Sequence, residues 1–251
     1  MKKYIIILLI VVSGTMNGQT SRQSTDNLNG WFMYFGDHKF ADKWGLHAEV
    51  QLRRNNVITD NQQLLLRTGI NYHLNSNVFF TAGYCFVETH PYGEFPTGTI
   101  HPEHRIWEQA QLKTHLSSVE WVTRFRLEQR WIQSPTLSAG VFERGDAVYK
   151  NRFRVLNRFS IPFKGKRIED KSLYVSAYNE LFINFGENTG PNLFDQNRTY
   201  LALGYKVPKL GRLEFGYLNQ IVVKADGLKV EYNHTLQLGL FSNLRFGKGG
   251  K

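Results

Sequence analysis

The chain has 251 residues, a formal net charge of +10 and a single cysteine, Cys85. One cysteine rules out an intramolecular disulfide, and the positive charge comes without a compact Lys/Arg tract or a recognition motif, so no nucleic-acid partner is expected. Mean hydropathy is negative, which excludes a bundle of membrane-spanning helices but not a β-barrel, whose inner face is polar.

Met1–Gly18 opens with Lys2 and Lys3, continues through the apolar run Tyr4–Val12 and ends in small and polar residues. This is the pattern of a secretory signal peptide. The apolar run is too short for a spanning helix, which needs about 20 residues. Cleavage is expected near Gly18–Gln19, leaving residues 19–251 as a single domain with no lipoprotein cysteine beside the cut.

The mature chain then alternates between apolar and polar residues. A strand places such alternate positions on opposite faces, whereas a helix would scatter them. The first strand is expected over Leu28–Phe35, followed by a turn at Gly36–Lys43 and by Trp44–Arg53, where Leu46, Ala48, Val50 and Leu52 oppose His47, Glu49, Gln51 and Arg53. After a polar loop at Asn55–Asn61, Gln63–Leu74 sets Leu64, Leu66 and Ile70 against Arg67, Gly69 and Asn71. The turn Asn75–Asn77 leads to Val78–Thr89, and a Pro/Gly-rich loop covers His90–Glu103. Arg105–Leu116, the turn Ser117-Ser118 and Val122–Trp131 come next. In Val122–Trp131 the clearest alternation of the chain puts Arg124, Arg126, Glu128 and Arg130 on one face.

A second long loop is expected at Gln133–Val148, then Tyr149–Ile161 with Arg152, Arg154 and Arg158 in phase. A basic turn at Lys164–Lys171, the strand Leu173–Phe185 and a loop at Gly186–Asp195 follow. The remaining strands are Gln196–Val207, Arg212–Val223 and Val230–Phe241, joined by Pro208–Gly211 and Lys224–Lys229. Many of these segments run to about 10–13 residues, long enough to cross a bilayer at a tilt and longer than the about 5–6 residues usual in soluble proteins. Short and long connections tend to alternate, and Trp31, Trp44, Tyr72, Trp107, Trp121, Trp131, Tyr205 and Tyr217 lie within or near strand ends, as in aromatic girdles.

These features predict an all-β fold: a transmembrane antiparallel up-and-down β-barrel of about 10–12 strands, with outer-membrane lipid as its surroundings. A soluble sandwich or jelly roll is the competing architecture. Eleven strands are counted, whereas bacterial single-chain barrels usually have an even number. Either one strand has been split or missed, or the first begins at the outer side with Gln19–Asn27 threading the lumen.

The order of features resembles a family of Gram-negative outer-membrane proteins known only as a domain of unknown function. The likeness is carried by Glu103–Gln109 (EHRIWEQ), Arg124–Trp131 (RFRLEQRW) and Tyr178–Gly186 (YNELFINFG), behind the signal peptide and the Trp31 and Trp44–Arg53 strands. The resemblance implies an outer-membrane barrel and brings no catalytic residues. Barrels of this kind often end on an aromatic residue, while here Phe246 is followed by Gly247–Lys251.

Projecting the strands predicts a lumen lined by Arg53, Arg67, Arg105, Arg124, Arg126, Arg130, Arg152, Arg154, Arg158, Arg198 and Arg212, opposed by Glu49, Glu128, Glu180 and Glu214. A guanidinium cannot lose its charge, so each must be paired, hydrogen-bonded or hydrated. A structural Arg–Glu–Gln network is the first reading, with Glu128 and Glu180 as the main counter-charges. A narrow passage or binding site for small anionic solutes is the functional one. The runner-up class is a lipid-modifying hydrolase or acyl transferase, with His90, His101 and His104 near Glu94 and Glu103 and with Ser134 or Ser138 approaching through space. The same histidines could hold a metal, but no H-E-x-x-H or paired-cysteine motif supports it, and neither metal nor cofactor is expected. Cys85 reads as a packed small residue.

Overall fold

The computed structural model describes residues 22–246, so the segment read as a signal peptide, Met1–Gly18, lies outside the described residues. The strands are β1 (Gln23–Lys39), β2 (Trp44–Asn55), β3 (Asp60–His73), β4 (Val78–Thr89), β5 (His101–Leu116), β6 (Val119–Ser138), β7 (Val141–Pro162), β8 (Leu173–Phe185), β9 (Phe194–Val207), β10 (Gly211–Val223) and β11 (Lys229–Ser242). Consecutive strands are neighbours all the way round, and β11 closes on β1.

A meander reverses direction at every turn, so an odd number of strands must close with its first and last members parallel. Here β1 and β11 pair in parallel from Gln23↔Lys229 to Gly36↔Ser242, while every other neighbouring pair is antiparallel. The count of eleven therefore stands among the described residues, without a split or missing strand there. Residues 23–27 belong to β1 and pair along β11, so the expectation that Gln19–Asn27 threads the lumen is corrected for those residues.

The connections at one end are 40–43, 74–77, 117–118, 163–172 and 208–210, and at the other 56–59, 90–100, 139–140, 186–193 and 224–228. We call these the turn end and the loop end. The expected loop Gln133–Val148 is instead a continuation of β6 and β7, a hairpin that turns at Ala139-Gly140 and shifts register between Gln133 and Pro135. Both turn residues have positive φ, 49° and 80°, the left-handed geometry that a two-residue hairpin turn matched to strand twist requires. Its Arg144 Nε donates to the Ile100 carbonyl at 3.4 Å, tying the hairpin to the 90–100 loop.

The outer face is apolar around the whole circumference: Phe32, Val50, Leu66, Phe80, Ile106, Phe125, Phe153, Leu201, Phe215 and Leu238 are all exposed. One oblique line of polar side chains crosses it. Thr123 and Asn157 are hydrogen-bonded at 2.9 Å, Asn157 is opposite Asn179, and Asn179 donates to Asn197 and Thr199 at 3.0 Å each. Most of these polar groups thus find partners within the line. Trp121 and Trp131 stand ten residues apart on β6, about 25 Å along the barrel axis at about 3.3 Å per residue and a tilt near 40°.

The inner face does not follow the aromatic expectation. Trp31 and Trp107 are inside the barrel, 1% and 0% exposed, rather than in a girdle. Gly69 makes room for one of them, since a Cβ there would sit 3.1 Å from Trp107 Cζ2. Gly204 does the same for the Tyr174 ring, which a Cβ would overlap.

Candidate functional site

Eleven strands spaced about 4.8 Å apart and tilted by about 40° enclose a backbone cylinder of about 11 Å radius. Long side chains from facing walls meet across such a width. The interior is accordingly lined by arginines, carboxylates and amides that reach one another across it. All eleven arginines expected in the lumen, Arg53, Arg67, Arg105, Arg124, Arg126, Arg130, Arg152, Arg154, Arg158, Arg198 and Arg212, lie on the inner face, and eight of them reach a carboxylate.

The paired arginines gather around a few fully buried acids. Glu128, with no exposed surface, accepts from Arg152 Nε and Nη2 at 2.9 and 2.6 Å and from Arg154 Nη1 at 2.7 Å. Arg67 Nη2 reaches it at 3.4 Å and Arg105 Nη1 lies 3.9 Å away. Glu180 accepts from Arg154 Nη2 at 2.7 Å and Arg124 Nη2 at 2.8 Å. Register explains the convergence: Glu128 is opposite Arg152, Arg126 opposite Arg154, and Leu156 opposite Glu180, so β6, β7 and β8 bring these side chains together at nearby levels. Arg158 pairs with Glu214, which also accepts from the Tyr174 hydroxyl at 2.7 Å.

Several counter-charges were not among those read from the sequence. Glu103 accepts two forks, Arg105 Nε and Nη2 at 2.6 and 2.9 Å and Arg130 Nε and Nη2 at 2.5 and 3.1 Å. Such bidentate, charge-assisted bonds are among the strongest a protein makes. Glu120 pairs with Arg212 at 2.5 Å and Lys113 at 2.6 Å, and Asp195 with Arg152 at 2.7 Å. Glu103 shares the phase of Arg105 and Glu120 that of Arg124, so the alternation held the signal. Both fall outside the stretches read as strands.

Three buried arginines have no carboxylate within 4 Å among the described residues. Arg53 donates to Gln51 from Nε and Nη2 at 3.0 and 2.5 Å and to Gln63 from Nη1 at 2.5 Å. Arg126 donates twice to Gln109, at 3.1 and 2.7 Å. Arg198 donates to Gln196 at 3.1 Å, and its Nε has no partner. All three lie over indole rings: Arg53 and Arg198 at 4.1 and 5.2 Å from Trp31, Arg126 at 4.6 Å from Trp107. The ring face gives part of the compensation that a carboxylate would otherwise supply.

Two chambers remain. The loop-end chamber, about 190 Å³, includes Trp31, Arg53, Arg105, Arg130, Arg198 and Lys224 in its lining, with Tyr92 and Thr97 of the 90–100 loop over it. The turn-end chamber, about 480 Å³, includes Asp37, Glu49, Arg124, Arg126, Arg158 and Arg212. Gln51, Arg67, Arg154 and Arg198 line both, at the waist where the two chambers adjoin. Tyr92 donates its hydroxyl to Glu231 at 2.9 Å. Burial and the neighbouring Glu231 carboxylate push the Tyr92 phenol well above its usual range, which keeps it a donor.

The histidines do not converge. His101 Nδ1 is 3.2 Å from the Thr99 carbonyl, His90 is paired with Glu88 at 3.0 Å, and His104 lies on the outer face beside the Tyr84 hydroxyl at 2.6 Å. Among the described residues no group of His, Cys, Asp or Glu has the geometry of a metal site. Cys85 is buried beside Leu65, Val87 and Trp107.

The family model described as protein of unknown function (DUF2490) matches residues 28–231. The chain belongs to this family. An uncharacterised protein of Methylorubrum extorquens is 28% identical to it over 200 residues, covering 77% of this chain and 78% of the relative. No solved structure matches the chain. For this DUF2490 barrel, then, a functional reading has to come from the lumen and the outer face.

Proposed function

We propose that the protein is an outer-membrane β-barrel of membrane-structural kind, its lumen closed to free flow by the Arg–Glu–Gln network. The observation that carries the membrane part is the apolar outer belt. Exposed Leu, Phe and Ile continue around the entire circumference, far beyond the few hundred Å² of contiguous apolar surface that a soluble monomer usually exposes. The signal-peptide pattern at Met1–Gly18 and the spacing of Trp121 and Trp131 agree with it. The closed lumen rests on the waist, where Arg67, Arg154 and Arg198 with Gln51 line both chambers and Arg67 and Arg154 are held by Glu128 and Glu180.

A second reading, a narrow passage for small anions, is favoured by the same waist, because the groups an ion would meet there are three guanidiniums. It requires the Arg154–Glu128 and Arg154–Glu180 pairs to part for each ion. Refolding into liposomes tests both readings. Under the structural reading the protein floats with the vesicles, and planar-bilayer recordings stay at baseline. Protein left in the soluble fraction contradicts the membrane reading. Stable anion-selective steps that shrink on neutralising Arg126 and Arg154 replace the closed barrel with a pore.

A further inference from the structure

The loop-end chamber combines three things that a filled, purely structural lumen does not need: an enclosed polar space, an excess of fixed cations facing it, and two guanidiniums with no carboxylate. The remaining lining cations are already matched. Arg105 and Arg130 hold Glu103, Arg152 and Arg154 hold Glu128, and Lys224 holds Glu231 at 2.5 Å. Arg53 and Arg198 are the exceptions, each nearly buried at 8% and 7% exposed, with only glutamine oxygens to donate to. Their distances to the Trp31 ring, 4.1 and 5.2 Å, keep the two guanidinium carbons less than about 10 Å apart. The unpartnered Nε of Arg198 adds a donor with nothing to bond.

A buried cation left unpaired is costly, and a structural network would remove that cost by placing an acid beside it. Here the groups that accept from the two arginines are amides, and Glu180, directly across from Arg198, is instead engaged by Arg124 and Arg154. Gln63 and Gln196 are each one substitution from glutamate and each already accept a hydrogen bond from one of the arginines. We propose that Arg53 and Arg198 form a binding site for a small oxyanion, a free phosphate or a carboxylate solute, which enters from the loop end and supplies the missing counter-charge. Guanidinium forks match the planar and tetrahedral oxygens of both groups. Trp31 holds the two arginines from moving apart, and is itself fixed by donating Nε1–H to Gln62 Oε1 at 2.7 Å. The chamber lies inside the barrel, away from the apolar outer face, which selects a dissolved anion over a lipid headgroup. Glu103 in the lining carries two arginines, so its charge is more than compensated.

The inference deepens the closed-lumen reading, and its test is separate from flotation and conductance. The full chain refolded in zwitterionic detergent is titrated with inorganic phosphate and, in a second arm, with succinate, at constant low ionic strength. Heat and tryptophan emission are both recorded. The expected result is saturable binding of at least one of the two anions, weakened tenfold or more by Arg53→Gln or Arg198→Gln and unchanged by Arg144→Gln on the outer hairpin. Because removing an arginine alters packing, Gln63→Glu and Gln196→Glu form a second test: each supplies the counter-charge internally, so both should fold with the parent's heat-shifted gel mobility and lose the anion. No saturable binding of either probe, or parental affinity in Gln63→Glu and Gln196→Glu, overturns the proposal. A barrel that floats and does not conduct but fails this test keeps its structural reading and loses its ligand.

Discussion

Two groups of arginine share one lumen. On the β6–β8 wall, Arg124, Arg152 and Arg154 converge on Glu128 and Glu180 at 2.6–2.8 Å. On the β2 and β9 side, Arg53 and Arg198 have glutamine and the faces of Trp31 and Phe182. The residue type is the same, yet the first group ties β6, β7 and β8 together through shared carboxylates while the second faces a chamber with only amides to donate to. What separates structure from binding capacity here is which oxygens the guanidiniums reach, carboxylates in one case and amides in the other, even though Glu180 stands directly across the sheet from Arg198.

The largest effect is expected where the first group is broken. Glu128→Gln leaves Arg152 and Arg154 facing each other without their shared acid and should cost about 3–5 kcal/mol in urea unfolding from lipid vesicles. A loss below about 1 kcal/mol would mean that water already screens this wall. Next is the outer face. Leu201→Arg puts a charge on the exposed apolar belt and should cost about 2–4 kcal/mol if that belt meets lipid near mid-bilayer; wild-type insertion and stability would count against the membrane placement. Trp31→Phe removes the Gln62 hydrogen bond and the best ring for a cation, and should lower stability by about 1–2 kcal/mol. The smallest change is expected for Arg53→Gln. Removing an unpaired buried cation should leave stability within about 1 kcal/mol of the parent, with any shift towards greater stability.

Much of the fold could be read from alternation because each strand needs opposite surfaces on its two faces. The arginine phase in Val122–Trp131 and Tyr149–Ile161 depends only on period two, and Glu128 and Glu180 share that inner phase. The chain was less legible where alternation was absent or interrupted. Trp31 sits in the run Trp31-Phe32-Met33-Tyr34-Phe35, where every residue is apolar or aromatic and no polar phase marks the inside; only Asn27 and Asn29 upstream do. Trp107 shares the phase of Arg105 and Gln109, so its inward position was available from the sequence, but a girdle role for tryptophan is a statistical habit that ignores phase. The Gln133–Val148 hairpin contains Gly, Pro and Ser and looked like a loop, whereas pairing between β6 and β7 carries it past the barrel rim. The separation of paired from unpaired arginines depends on which strands are neighbours and at what register, and that is not local information.

The most direct test of the two-group account is a comparison of the unfolding free energies of Glu128→Gln and Arg53→Gln with the parent, in the same vesicles and without added oxyanion. The account predicts a large loss for Glu128→Gln and no loss, or a small gain, for Arg53→Gln. Equal destabilisation by both would contradict it, because Arg53 would then be held by structural interactions as strong as those of the Glu128 network.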